Sequence, residues 1–408
     1  MLTVAETFPR VWATVRPLPP RAVTLATAAG RVLREPVVAD RPFPPFDRVT
    51  MDGLALAYAA VAAGQTVFRV ERTQLAGQQP KPLRDPAAAI EIMTGAALPP
   101  GTDTVVRYED LDLVRHPDGQ CTATLRVPPP VAGHNVHPRG SDCPAGTVLL
   151  RPGTLLGAPE IAIAATVGAT TLGVSARPRV AVVSTGDELV PVGRAPKPHQ
   201  VRRSNALLLA VAAREAGAVA RVFHLPDHPA TLHARLPPLL AGFDAVLLSG
   251  GVSQGKADFL PGALRAAGVE ELAHQVSQRP GKPLWFGRYP GGAVVFGLPG
   301  NPVSTFVTYH RYVAPWLRGV QQPAALALPA APAYATLAAP VSFAPALTYF
   351  LLVRLEAGPD GRLLAHPVFP NSSGDMTSLP AADGFLELPA DRNAFAAGST
   401  WPLWRFAA

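Results

Sequence analysis

Several stretches of this chain place carboxylates, glycine turns and cations where they could handle a phosphorylated ligand. In VVSTGDELV (182–190) an apolar run ends in Ser184, Thr185, Gly186, Asp187 and Glu188. Two adjacent acids repel each other unless a cation or a donor sits between them, so the pair suits a bound metal or a donor-rich ligand. A solvated turn opening the next helix explains the same four letters. LLSGGVSQGKADF (247–259) sets Ser249, Gly250, Gly251, Ser253 and Gly255 between an apolar run and a helical pattern. Backbone N–H groups at such glycines can converge on a phosphate, helped by the start of the helix, and the serines add hydroxyl donors. Lys256 is followed by Ala257, not Ser or Thr, so this is not the GxxxxGK[ST] loop of ordinary NTPases. GLPGNPVS (297–304) has Pro299, Gly300 and Asn301 ahead of a long helix. Asn301 suits the N-cap and Pro302 the first helical position, which leaves the Gly300 backbone to approach a ligand. RPGKP (279–283) adds Arg279 and Lys282, two cations suited to phosphate oxygens. PPFDRVTMDGLALA (44–57) carries Asp47 and Asp52, the latter in an Asp-Gly turn pair, and IMTGAALPPGTDTVV (92–106) offers Thr94 in a similar loop.

The elements that must hold these residues follow from hydrophobic periodicity. Residues 178–318 alternate strand and helix: RVAVVS (179–184), a helix over 204–217 with Ser204 as its cap, AVARVFHL (218–225), a helix over 229–242 broken by proline, and DAVLLSGG (244–251). Helices over 258–268 and 301–317 complete the pattern. Repeated units of this length predict a doubly wound, mostly parallel sheet, whose ligands lie beyond the carboxyl ends of the strands. Asp187, Glu188 and the glycines at 250–251 fall there. Before it, residues 43–140 read as short strands between Gly and Pro turns, a mainly β insertion. It is flanked by a helical and extended linking domain, 1–42 with 141–177. After residue 323 the helical pattern stops, and TYFLLVRLEA (348–357) and GFLELPA (384–390) read as strands of a small β-barrel-like domain, 324–408. The fold class is therefore α/β and multidomain, with the sheet domain at 178–323.

Bulk properties exclude several classes. At 408 residues, 48% hydrophobic and 16% charged, the chain can bury sizeable cores. Its longest apolar runs are broken by proline, so no membrane span is expected. Glu6 and the lack of a basic leader read against a secretory signal, which makes a cytoplasmic protein the expectation. The net charge of +7 comes with no basic cluster interleaved with aromatics, so nucleic acid is not expected as a partner. Cys121 and Cys143 stand far apart without a CxxC, which reads as two free thiols.

Taken together, TGDE, SGGVSxG, PGKP, GLPGNPVS, the PFDxxxMDG segment and IMTGAxLPPGxDxVV stand in the order and spacing of the molybdopterin molybdenumtransferase family, which the chain resembles over nearly its whole length. SSGDMTSLPAADGFLELP (372–389) is similar to that family's C-terminal motif, and the C-terminal domain of gephyrin is a relative. The resemblance implies a homodimer that takes adenylylated molybdopterin, removes the AMP and inserts molybdate to give the molybdenum cofactor, in transient contact with a molybdopterin adenylyltransferase. It implies Mg²⁺, with Mn²⁺ as a substitute, on Asp187, Glu188, Asp227 and Asp258, and Asp52 as a further catalytic acid. It also assigns substrate contacts to the glycine turns, Thr94, Arg279 and Lys282, and to Asn135, His137, Arg139 and Asp142 of NVHPRGSD (135–142). The sulfur ligands come from the pterin, so no cysteine is needed. Three positions depart from the family pattern: His137 and Ser141 replace an arginine and an acid, and Arg279 replaces a lysine. An imidazole carries only part of a charge near neutral pH, so an anion contact at His137 is weaker. An adenylyltransferase would resemble residues 178–318 alone, and a gephyrin-like scaffold would need an appended binding domain. The flanking regions argue against the first, and nothing in the chain supplies the second.

Overall fold

The computed structural model describes residues 1–251, 259–327, 329 and 331–406. They form two compact units, one of residues 1–34 with 172–408 and one of residues 35–171.

The first unit is built on a six-stranded sheet in the order Val219–Leu225, Arg179–Thr185, Ala245–Ser249, Val294–Leu298, Trp285–Arg288, Glu270–His274. The first four strands run parallel, and Trp285–Arg288 pairs antiparallel with both of its neighbours. Alternation along Arg179–Thr185 explains why both faces are covered. Val180 and Val182 pack with Ala206, Leu209, Val303 and Val307 of two helices on one side. Ala181 and Val183 pack with Leu232, Leu236, Leu260 and Leu264 of two others. Each such side chain contributes about 1.5–3 kcal/mol by leaving water.

Three local expectations are corrected. Ser204 is the first residue of helix Ser204–Glu215 and does not cap it; Arg203 holds the cap position with its N–H on Val190 O, because the chain arrives from the short parallel pair Leu189–Val190 and Val201–Arg202. Helix Pro229–Gly242 runs through Pro237 and Pro238, held by Leu232, Leu236, Leu239 and Leu240 against the sheet. The helix read over 301–317 is Pro302–Thr308, a π-helical turn Tyr309–Val313, and Ala314–Gly319.

Beyond it, five strands close into a barrel: Thr348–Ala357, Leu363–Pro367, Ala333–Leu337, Thr400–Arg405 and Gly384–Leu388, the last pairing back onto the first. Ala335, Leu337, Leu351, Val353, Ala365, Leu386 and Leu403 fill its inside. The short strand Gln278–Arg279 pairs with Thr348 and Tyr349, which ties the Arg-Pro-Gly-Lys turn to the barrel.

The second unit centres on a six-stranded mixed sheet: Thr104–Arg107, Gly53–Leu56, Ala88–Ile92, Val67–Gln74, Cys121–Leu125, Leu111–Arg115. Its core is Leu54, Leu56, Phe68, Ala89, Val106, Ala123 and Leu125. Gly53 has no substitute, since a Cβ there would sit 1.9 Å from Val106 O. No helix among the described residues is long and apolar enough to cross a membrane.

Candidate functional site

Strand pairing alone assembles the first constellation. The register aligns Ser184 with Ser249 and Ser249 with Leu298, so the TGDE, SGG and LPGNP turns leave the sheet side by side at its carboxyl edge. Each turn is shaped by a glycine doing a specific job. Gly186, at φ +138°, leaves room for the Glu188 carboxylate, whose Oε2 would lie 2.6 Å from a Cβ. Gly250 and Gly251 adopt φ +97° and +66° over Thr185, with its O and Oγ1 each 3.0 Å from the Cβ positions. Gly300 lies against this turn, 3.8 Å from Cβ position to Gly250 Cα.

These turns border a cavity of about 840 Å³, within the size range of small-molecule sites, lined also by Arg279, Lys282, Tyr349, Phe369, Ser372 and Ser373. Arg279 reaches it from the barrel side, its guanidinium 5.9 Å from the Phe343 ring, which stacks on Tyr349 at 4.1 Å. Burial holds the Tyr349 phenol above its ordinary pKa. Buried Gln278 stakes the turn from inside, donating to Gly281 O at 3.0 Å and accepting from Tyr312 Oη. Asn301 occupies the cap position of its helix but makes no side-chain cap; its Nδ2 donates to Ser373 Oγ at 2.7 Å. Sequence reasoning missed Gln278, Tyr349, Ser372 and Ser373. The SSGD motif was the signal for the serines; nothing local marks the other two.

Of the acids, Glu188 lines the cavity and Asp187 is exposed beside it. The Asp227 N–H donates to Asp187 Oδ1 at 3.4 Å, which brings strand end Leu225 to the same edge. Ser184 turns away, its Oγ donating to Phe223 O at 3.3 Å, whereas Thr185 Oγ1 is buried and has no partner among the described residues. Ser253, Gly255 and Asp258 lie outside the described residues. Among the described residues no three His, Cys, Asp or Glu side chains gather as a metal cage. An oxygen-only donor set of one or two carboxylates is nonetheless what Mg²⁺ takes when substrate phosphates complete its shell.

The second unit gathers the remaining residues at one end. Asp52 Oδ1 accepts the Thr94 N–H at 2.6 Å, and that hydrogen bond holds its carboxyl below the ordinary carboxylate range. The Thr50 N–H and Oγ1 donate to Asn135 O, and the Arg139 N–H donates to Asp47 Oδ1 at 2.8 Å. Asn135 sits at φ +57°, a left-handed conformation its short amide tolerates. His137 has both ring nitrogens engaged: Nδ1 lies 3.1 Å from an Arg48 guanidinium nitrogen and Nε2 lies 2.9 Å from Asp142 Oδ1. A guanidinium only donates, so Nδ1 accepts and Nε2 carries the proton to Asp142. The loops 44–57, 92–106 and 135–142 thus meet.

The comparisons with known proteins cover the same ground. Residues 2–168 match the MoeA N-terminal region (domain I and II), residues 181–319 the probable molybdopterin binding domain, and residues 334–406 the MoeA C-terminal region (domain IV). The molybdopterin molybdenumtransferase of Synechocystis sp. is 38% identical over 377 residues, 92% of each chain. The chain belongs to the molybdopterin molybdenumtransferase family. Within that family the enzyme of Bacillus subtilis is 31% identical over 93% of this chain and 88% of its own. A crystal structure of the molybdopterin biosynthesis moeA protein from Pyrococcus horikosii superposes with a TM-score of 0.82 at 29% identity, covering 100% of both chains. The first matched region takes in most of the β-rich unit together with residues 2–34, and the other two coincide with the parallel sheet and the closed barrel.

Proposed function

We propose that this chain is a molybdopterin molybdenumtransferase, taking adenylylated molybdopterin, releasing AMP and inserting molybdate to form the molybdenum cofactor. The observation that carries the reading is the cavity at the carboxyl edge, where Glu188, the glycine turns at 250–251 and 300, and the cations Arg279 and Lys282 face one space. Glycine N–H groups and a guanidinium bind phosphate oxygens; an ammonium suits a compact oxyanion such as molybdate. Pro299 and Asn301 line the walls, Ser249 ends the strand that leads into the glycine turn, and Ser372 and Ser373 add hydroxyl donors from the barrel side.

Asp187 and Glu188, with Asp227 beside them and Asp258 from the adjoining segment, are the residues that would hold Mg²⁺, or Mn²⁺ in its place. When bound, that ion supplies charge neutralisation at phosphate oxygens. Asp52 serves as a further catalytic acid, and Thr94, Asn135, His137, Arg139 and Asp142 contact the substrate; the support is an exposed Asp52 carboxylate that accepts the Thr94 N–H, which keeps its pKa below the ordinary value. The reading includes a cytoplasmic homodimer that meets a molybdopterin adenylyltransferase only transiently, supported by the family resemblance. Mass spectrometry of small molecules carried through purification of the full chain tests the substrate class. A pterin–AMP species is expected; a different bound nucleotide or none, in material shown to bind added AMP, would redirect the reading to another phosphoryl substrate.

A further inference from the structure

One polar side chain behind the glycine turns that line the cavity belongs to none of the motifs. Asn205 is the second residue of helix Ser204–Glu215. Its Nδ2 commits both hydrogens, to Gly300 O at 2.7 Å and to Ser249 Oγ at 3.1 Å. Gly300 O can only accept, so the nitrogen must face it, which fixes the amide orientation. Among the described residues Oδ1 then has no donor, and Thr185 Oγ1 under the Gly250–Gly251 turn has no partner. Thr185 is only 3% exposed.

The two turns that Asn205 joins carry the unsatisfied main-chain donors. The Gly250 N–H is committed to Leu298 O at 3.2 Å, whereas those of Gly251 and Gly300 meet no main-chain acceptor among the described residues. Both glycines line the cavity. Besides that hydrogen bond and the contact of Gly300 with Gly250, the Asn205 amide links the two turns. An oxyanion bound by both N–H groups needs their separation fixed before it arrives, because ordering two loops on binding subtracts from affinity.

We infer that Asn205 is a positioning residue, which holds the SGG and LPGNP turns at the spacing that lets Gly251 and Gly300 share one phosphoryl group of the substrate. The inference rests on the function proposed above. It acts on substrate held in the ground state and the transition state alike. Loss of the clamp therefore raises KM and leaves kcat in place. A merely structural role would do the opposite, lowering the active fraction and so apparent kcat at unchanged KM.

The test is steady-state AMP release from adenylylated molybdopterin by the full chain, with AMP affinity measured separately by calorimetry. Asn205→Ala is expected to raise KM and weaken AMP binding about tenfold, with kcat within twofold of wild type. Asn205→Asp, which sets an anion against Gly300 O and the phosphoryl group, is expected to weaken both further, with a loss that shrinks as salt rises. The two variants guard against a folding defect in either one. An unmoved KM in both, or a fall in kcat at constant KM, overturns the inference alone. A wild type that neither binds AMP nor releases it overturns the proposed function and this inference with it.

Discussion

Acidification should destabilise the first unit through one buried imidazole. His310 stands in the π-helical turn, 7% exposed, with its ring 4.5 Å from Phe306 and 4.9 Å from Phe406. Its Nε2 is buried and has no partner among the described residues. Burial first, and then the Arg318 charge, lower its pKa from 6.5 to about 3. The folded state therefore keeps His310 neutral where the unfolded chain takes up a proton. Stability from this group is fully present above pH 6.5 and is lost progressively as pH falls from 6.5 towards about 3. Between pH 7.5 and 5.0 the loss comes to about 2 kcal/mol. All five tryptophans, Trp12, Trp285, Trp316, Trp401 and Trp404, lie in this unit, so their fluorescence follows its unfolding without a signal from the other. Urea titrations of wild type and His310→Leu at both pH values isolate the effect. Leucine removes the titrating group and the unpaired nitrogen while keeping apolar bulk, so the two proteins should lie within about 1.5 kcal/mol at pH 7.5. At pH 5.0 the variant should gain about 2 kcal/mol relative to wild type. Parallel stability profiles across this range would refute the reasoning.

Asp187→Asn should lose AMP release, as should wild type in excess EDTA, while the melting temperature stays near wild type because an exposed turn acid contributes little to stability. A large fall in melting temperature would instead make Asp187 a structural turn residue. Asp52→Asn should likewise lose activity and remain folded. Because its carboxyl is held below the ordinary value of 3.8, any acid limb of the wild-type rate above that pH should persist in other groups and not trace to Asp52. His137→Arg should lower the molybdate requirement or leave it unchanged if that loop holds an anion. A sharp loss at every pH would show that the loop is built around an imidazole bridging Arg48 and Asp142.

Sequence periodicity sufficed for the parallel sheet because Val180 to Val183 are apolar on both faces and each helix repeats its burial at three- and four-residue spacing. The small barrel was legible as strands; its closure depends on the pairing of Gly384–Leu388 with Thr348–Ala357, a long-range register that no local pattern encodes. The glycine turns were legible for a physical reason: Gly186, Gly250 and Gly251 take backbone conformations that other residues rarely adopt. What stayed hidden was the support. Gln278 and Asn205 look like ordinary polar residues in sequence, and their roles arise from partners tens of residues away, Tyr312 for one and Ser249 and Gly300 for the other. Asn301 shows the converse: a textual helix cap whose amide is drawn instead to Ser373.

The most direct test of the account is a single-turnover incubation of the full chain with adenylylated molybdopterin, Mg²⁺ and molybdate. AMP is quantified by chromatography and pterin-bound molybdenum by elemental mass spectrometry. The account predicts that both products appear together in equal amounts and that omitting molybdate leaves no molybdenum-bound pterin. Equal consumption of substrate with AMP formed but no molybdenum inserted, or formation of adenylylated molybdopterin from ATP and free molybdopterin, would contradict it.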